Sequence, residues 1–393
     1  MDTTPSKSWT RERVAVAAYF AVLGFVCSAW ASSIDDMKAM LEISNTQLGW
    51  LLFFGPVGNL ISFTFAGIVV TRFGSRACLR TAAALHALAA GAIALDFFFH
   101  SPFWLWCASF CMLAGCGNIF NISVNTQAGI VEKSLGRHIM STFHALFSIA
   151  MLAGSLVAIA ASSLAIPATW RFLLTVSVAW LTQLIFAHAL PKSDAMAKNN
   201  GEKRRYIPDK ALLALGLAAM VVMACEGSIN NWVCVYYRDS LGAGGGRIKW
   251  GFCAVMAMMT VGRLVTDRLV NRFSARAVFH CYSVLVTTGL GIALSSPYLG
   301  LTGLSLLAVA TLGYAIVGYG ISGLVPILYS KGNRTKCMPA GAAITFLGSM
   351  GFLGNFLGPY IIGKVADLTS LSIALGIFAV LILLCLFINP DAE

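Results

Sequence analysis

Between about residue 12 and residue 389 the chain runs as long apolar stretches separated by short polar turns, and this alternation decides what it can fold into. Each stretch is close to or above the ~20 residues that an α-helix needs to cross a bilayer. The spans fall roughly at 12–34, 46–70, 79–99, 102–130, 139–163, 168–190, 210–236, 248–266, 277–296, 298–329, 338–363 and 370–389. Only 11% of the residues are charged, against roughly 25% in soluble domains, too few to cover a water-facing surface. In hydrocarbon a backbone amide must find its partner within its own helix or in a closed sheet, and runs of this length do so as helices. The expected fold is an all-α polytopic membrane protein with twelve transmembrane helices in two pseudo-symmetric six-helix bundles.

The formal net charge of +11 raises the question of nucleic acid, and its placement answers it. With the N-terminus placed in the cytoplasm, 21 of the 27 lysines and arginines fall on the inner face and the other 6 on the outer face. That bias is the positive-inside rule, so the charge reports topology, no nucleic-acid partner is expected, and both termini are assigned to the cytoplasm. The first apolar run is too long for a cleavable signal peptide and lacks a small-residue cleavage site, so it is expected to remain as a helix. The polar stretch 191–209 reads as a cytoplasmic linker between a bundle at 1–190 and a bundle at 210–393. The implied location is a bacterial-type cytoplasmic (inner) membrane, crossed many times by a monomer.

One basic turn occurs twice. "VVTRFGSRA" at 69–77 returns as "LVNRFSARA" at 269–277, so Arg72, Phe73 and Arg76 recur as Arg272, Phe273 and Arg276. Each copy follows the second helix of its half, the mark of a duplicated transporter architecture. At these residues the chain resembles the major facilitator superfamily, whose loop signature stands here as Gly67, Thr71, Arg72, Gly74 and Arg76. Thr71 occupies the place of the family's acid. The second copy carries Arg263, Asp267, Arg268 and Arg272. The resemblance implies a cytoplasmic gate at these residues, closed when the inner side is shut; arginines at a membrane edge also hold anionic headgroups.

A narrower likeness concerns "CGNIFNISVNTQAG" at 116–129, "TFHALFSIAMLAGS" at 142–155 and "GNFLGPYIIG" at 354–363, which resemble the branch around fucose permease. That branch couples protons through acids in helices 1 and 4. The corresponding positions here are Ala31 and Asn121, so its coupling chemistry does not carry over.

Polar groups that persist in apolar helices line a path or bond to a neighbouring helix. Asn118, Asn121 and Asn125 fall on one helical stripe and offer donors and acceptors to a polar solute. Glu226 is the acid deepest within a span, a candidate proton carrier with Arg238 the nearest basic residue in sequence. His144 suits either proton traffic or solute contact. Trp30, Asn230, Asn231, Tyr314 and Asn355 complete the candidate substrate-binding set, each with packing as the alternative. Asp35 and Asp36 are expected to face water or the rim, and His86 and His188 to be structural. The eleven cysteines occur singly, with no Cys-x-x-Cys pair, so neither metal nor cofactor is expected.

These features together point to a secondary active transporter, not an enzyme. It moves a small polar solute, sugar-like or an organic acid, by alternating access and proton-coupled uptake. The alternatives are a drug or metabolite efflux antiporter and a transporter-like receptor that moves nothing. The first is disfavoured by "MLAGSLVAIAA", which lacks the proline of the drug-antiporter helix-5 signature.

Overall fold

The computed structural model describes residues 7–135, 139–192, 207–332, 335, 337 and 340–387. Regular structure among them is helical, without strands. The chain separates into two compact units, Met1–Leu41 with Phe54–Gly201, and Glu42–Phe53 with Glu202–Glu393.

The first unit contains α1 (Lys7–Ala31), α2 (Ile34–Leu41), most of α3 (Asn45–Phe73), α4 (Ser75–Phe99), α5 (Phe103–Leu135), α6 (Met140–Ser163) and α7 (Ala168–Phe186). Within it α1 packs on α6 and α4 packs on α5 and α7. Missing side chains permit these approaches: Gly24 lies against the Phe147 carbonyl and Gly58 against that of Cys111.

The second unit contains α8 (Lys210–Asp239), α9 (Trp250–Phe273), α10 (Ala275–Ser295), α11 (Gly303–Ile321), α12 (Leu324–Gly332), α13 (Ala340–Leu368) and α14 (Leu371–Leu384). Here α8 packs on α13, and α11 on both α9 and α10. Among the described residues ten helical arms are long and apolar enough to cross a membrane, α1 with α2 and α11 with α12 each forming one arm. Leu371–Phe387 is a shorter apolar helix. With the 29-residue α13 they fill the places that the apolar runs assign.

Two arms are broken where the sequence pattern runs on. α1 stops at Ala31 and α2 resumes at Ile34; α11 stops at Ile321 and α12 resumes at Leu324. A serine sits at each break. Ser32 Oγ donates to the Ser28 carbonyl at 2.7 Å, and Ser322 Oγ to that of Tyr319 at 2.6 Å. Hydroxyls that bond back to the preceding turn compete with the backbone ladder and bend helices.

The duplicated basic turn is duplicated in shape. α3 ends at Phe73 and α4 begins at Ser75, joined by Gly74 at φ 80, ψ 148. α9 ends at Phe273 and α10 begins at Ala275, joined by Ser274 at φ 97, ψ 151. In each copy the arginine guanidinium lies over the following phenylalanine ring, at 5.6 Å for Arg72 and 5.3 Å for Arg272. The linking conformation belongs to glycine, so Ser274 is strained where Gly74 is not. Ser274 recovers part of that cost by accepting a hydrogen bond from Ala277 N at 3.3 Å.

The start of α3 clusters with the second unit for a local reason. Asp367, near the end of α13 and just beyond its apolar span, accepts from Asn45 N at 3.0 Å and from Thr46 N at 2.7 Å, one bond to each carboxylate oxygen. An acid at a helix N-terminus satisfies open N–H groups and meets the positive end of the dipole. One turn on, Gly49 lets α3 close on the Pro359 carbonyl, and Trp50 and Phe53 set their rings 4.7 Å from Tyr360 and 4.5 Å from Phe356. Burial raises the Asp367 carboxyl while bonds from Thr46, Asn45 and Ser44 lower it; the bonds prevail and hold it below its ordinary value of 3.8.

Two outcomes are expected in thermal unfolding of the purified protein. Gly74→Ala should cost about 1–3 kcal/mol, whereas Ser274→Gly should raise the melting temperature; a lower melt for Ser274→Gly would contradict the strain. Asp367→Asn should cost about 1 kcal/mol at neutral pH. Because the folded carboxyl is held low, that difference is full above the ordinary value and should vanish as pH falls through the lowered one.

Candidate functional site

In the first unit the asparagine stripe of α5 is partly engaged within the protein. Asn118 Nδ2 donates to Ser62 Oγ of α3 at 2.7 Å. Asn125 Nδ2 donates to the Asn121 backbone carbonyl at 2.8 Å and to Asn121 Oδ1 at 2.9 Å. Asn121 itself is exposed. The stripe is therefore in two parts, Asn118 tied to α3 and Asn125 bonded to an accessible Asn121. His144 on α6 is also exposed, its ring edge-on to Phe20 at 5.3 Å. Trp30 is only 7% exposed and stacks on Phe110 at 3.9 Å. Its buried Nε1 meets no hydrogen-bond acceptor among the described residues.

A second polar knot lies beside the α1–α2 break. Arg171, in the first turn of α7, has its side chain 5% exposed and is ion-paired with Asp36 of α2. Its other terminal nitrogen donates to the Ser32 carbonyl at 3.4 Å and to Ser162 Oγ at 3.3 Å. One guanidinium thus ties the break, the end of α6 and the start of α7. Asp35 is fully buried. The expectation that both acids face water or the rim fails for Asp35, whereas Asp36 keeps its side chain 25% exposed while serving as the counter-charge that the buried Arg171 needs. The available signal was an arginine inside the apolar pattern of α7.

In the second unit Glu226 of α8 faces Arg263 of α9, with Arg263 Nη2 and Glu226 Oε1 3.7 Å apart and the side chains 38% and 26% exposed. The basic partner is thus Arg263, not the Arg238 that lies nearer in sequence. At this separation the charges attract without a hydrogen bond between those two atoms. The neighbouring residue is Gly227, and Asn355 Oδ1 of α13 occupies the space that a side chain there would take. One turn along, Asn230 Oδ1 is buried without a hydrogen-bond donor among the described residues. Asn231 is half-buried. These positions bring a carboxylate, a guanidinium and primary amides into one neighbourhood of α8.

Tyr314 is placed elsewhere. It is fully buried in an aromatic group, its ring 6.1 Å from Tyr236 and 5.9 Å from Tyr237. Tyr237 Oη shares a hydrogen bond with Thr311 Oγ1 at 2.8 Å. His86 is buried with Nδ1 2.9 Å from the Leu113 carbonyl.

The gate residues divide between turns and tethers. Gly74 is the linking residue of the first turn, and Arg72 and Arg272 lie over their phenylalanines. Arg76 Nη2 donates to the His188 carbonyl at 2.6 Å, joining α4 to the end of α7. Arg268 is exposed. Gly67 and the Asp267 side chain lie outside the described residues.

The Major Facilitator Superfamily model matches residues 14–338. The chain belongs to the Major Facilitator Superfamily. It is therefore a membrane transporter by family and fold. An uncharacterized MFS-type transporter of Yersinia pestis is 28% identical over 376 residues, covering 95% of this chain and 93% of that protein. Membrane protein MosC of Rhizobium meliloti is 28% identical over 383 residues, covering 95% and 88%. Among solved structures, a mutant form of the nucleoside transporter NupG aligns with a TM-score of 0.78 at 12% identity, covering 97% and 98% of the two chains. A D-xylose-proton symporter aligns with a TM-score of 0.72 at 13% identity, covering 96% and 97%. At such identities the two structures speak for the fold.

The Asp36–Arg171 pair generates a direct test. Asp36→Asn leaves a buried guanidinium without its counter-charge and should destabilise the protein by on the order of 3 kcal/mol in a detergent melt. The double variant Asp36→Asn, Arg171→Met should recover part of the loss. Equal melts for Asp36→Asn and the unaltered protein would contradict the pairing.

Proposed function

We propose that the protein takes up a small polar solute, sugar-like or an organic acid, by proton-coupled alternating access. The observation that carries this reading is the half-exposed Glu226–Arg263 pair inside apolar helices. A carboxylate and guanidinium there are costly to keep, and such residues mark solute or ion paths. Protonation of Glu226 cancels its attraction to Arg263, so the pair is a place where proton occupancy changes the charge offered to a solute. Asn230, Asn231 and Asn355 supply amides near this pair, and Asn118, Asn121, Asn125 and His144 supply polar groups in the first unit. Trp30 shapes the apolar surroundings in the first unit, while Tyr314, fully buried among Tyr236 and Tyr237, is left to packing. Arg72, Arg76, Arg263, Arg268, Arg272 and Asp267 are assigned to the cytoplasmic gate with Gly67 and Gly74, so Arg263 belongs both to the gate and to the pair with Glu226.

The motifs of α5, α6 and α13 support placement near the fucose-permease-like branch, while Asn121 and Ala31 separate the coupling chemistry from it. The charge bias supports a bacterial inner membrane with both termini cytoplasmic, and the protein is taken to work as a monomer.

Uptake in reconstituted liposomes, with a panel of sugars, polyols and organic acids, tests the proposal with and without a pH gradient. Accumulation should follow the gradient in the unaltered protein. Glu226→Gln should abolish that accumulation while sparing solute exchange. Gradient-driven accumulation retained by Glu226→Gln would remove the carboxylate from coupling, and transport indifferent to pH would remove proton coupling itself.

A further inference from the structure

We infer that a groove between the start of α1 and the end of α7 is a binding site for an acidic glycerophospholipid, with an acyl chain in the groove and the phosphate at Arg11. The groove is a cavity of about 270 Å³ lined by Arg11, Val14, Ile185, Phe186, His188 and Ala189. Val14 and Ile185 are 49% and 47% exposed, although both are aliphatic. Apolar side chains therefore form the greater part of the lining, and one guanidinium stands among them.

The position matches such a ligand. The apolar run 12–34 begins just after Arg11, and the run 168–190 ends just after Ala189. The groove thus lies at a boundary between apolar and polar chain, the level at which a lipid phosphate sits. The charge bias of the sequence assigns these helix ends to the cytoplasmic leaflet, where acidic lipids attract basic residues.

The charge around the groove is net positive. Arg11 is exposed at its lining. Arg76 reaches the groove through its bond to the His188 carbonyl, and its Nε is buried without an acceptor among the described residues. Arg13 on α1 and Arg80 on α4, the helix that carries Arg76, add exposed positive charge outside the lining itself. The acid on this part of α1 is Glu12, which lies close enough to Arg76 to feel its charge. Guanidinium is the side chain suited to paired donation to a phosphate. A free phosphate answers the arginines but leaves the apolar walls open to water; a zwitterionic lipid fills the walls but brings its own cation to Arg11. An acidic phospholipid satisfies both parts.

The test uses the full-length protein, purified and stripped of lipid in a neutral detergent. Thermal shift and native mass spectrometry are run with dioctanoyl phosphatidylglycerol, dioctanoyl phosphatidylcholine and inorganic phosphate. Phosphatidylglycerol should stabilise the protein and be retained in preference to phosphatidylcholine, and phosphate alone should do neither. Arg11→Gln should reduce the preference about fivefold, the effect of one basic residue at a membrane surface. Ile185→Trp, a change at a half-exposed wall, should fill the groove and abolish retention while leaving the lipid-free melt unaltered. Equal binding of the two lipids, an equal response to phosphate alone, or undiminished phosphatidylglycerol retention by both variants would overturn the inference.

Discussion

A peptide group carried into hydrocarbon has no water to bond with, and every larger feature of this protein follows from that restriction. Each apolar run must close its hydrogen bonds along its own axis, so the chain becomes a series of helices before tertiary contacts select an arrangement. Lipid offers apolar side chains nearly the same environment as another helix, and cohesion must come from close fit and from polar bonds. The glycines that bring α3 onto the Cys111 carbonyl and α13 onto the Met220 carbonyl provide the first. The Asn118–Ser62 and Arg171–Asp36 contacts provide the second.

What was legible in the sequence is what depends on neighbours along the chain. Apolar run length placed the helical arms, and the repeated Arg-Phe pair marked two turns that share a backbone shape. The breaks at Ser32 and Ser322 were not legible in the same way. A serine hydroxyl bends a helix only where it bonds back to the preceding turn, and apolar patterning does not record that choice. The same limit hid the ion pairs. Asp36 and Arg171 are 135 positions apart, and Glu226 meets Arg263 from the adjacent helix α9 in place of Arg238 on its own. Pairing across helices depends on rotation about each helix axis, which run length leaves open.

The two units use different polar chemistry. The first carries neutral amides, bonded among themselves on α5 and to α3, and an ion pair in the knot beside the α1–α2 break. The second keeps opposite charges on α8 and α9 with part of each side chain accessible. Neutral amides discriminate solutes by hydrogen-bond geometry, while a charge pair responds to protons and ions. A protein that must both recognise a solute and draw on an ion gradient needs both kinds of group. The second unit holds both kinds of group together on and around α8, while the first offers its exposed amide on α5.

The single-residue links at Gly74 and Ser274 have a mechanical corollary. Two long helices joined through one peptide unit on either side have no slack with which to absorb a sliding or twisting displacement. A displacement of the Phe73 end of α3 must carry the Ser75 end of α4 with it, and the same holds for α9 and α10 at Ser274. One residue can hinge but cannot lengthen, so the two helix ends stay at a fixed separation whatever angle they take.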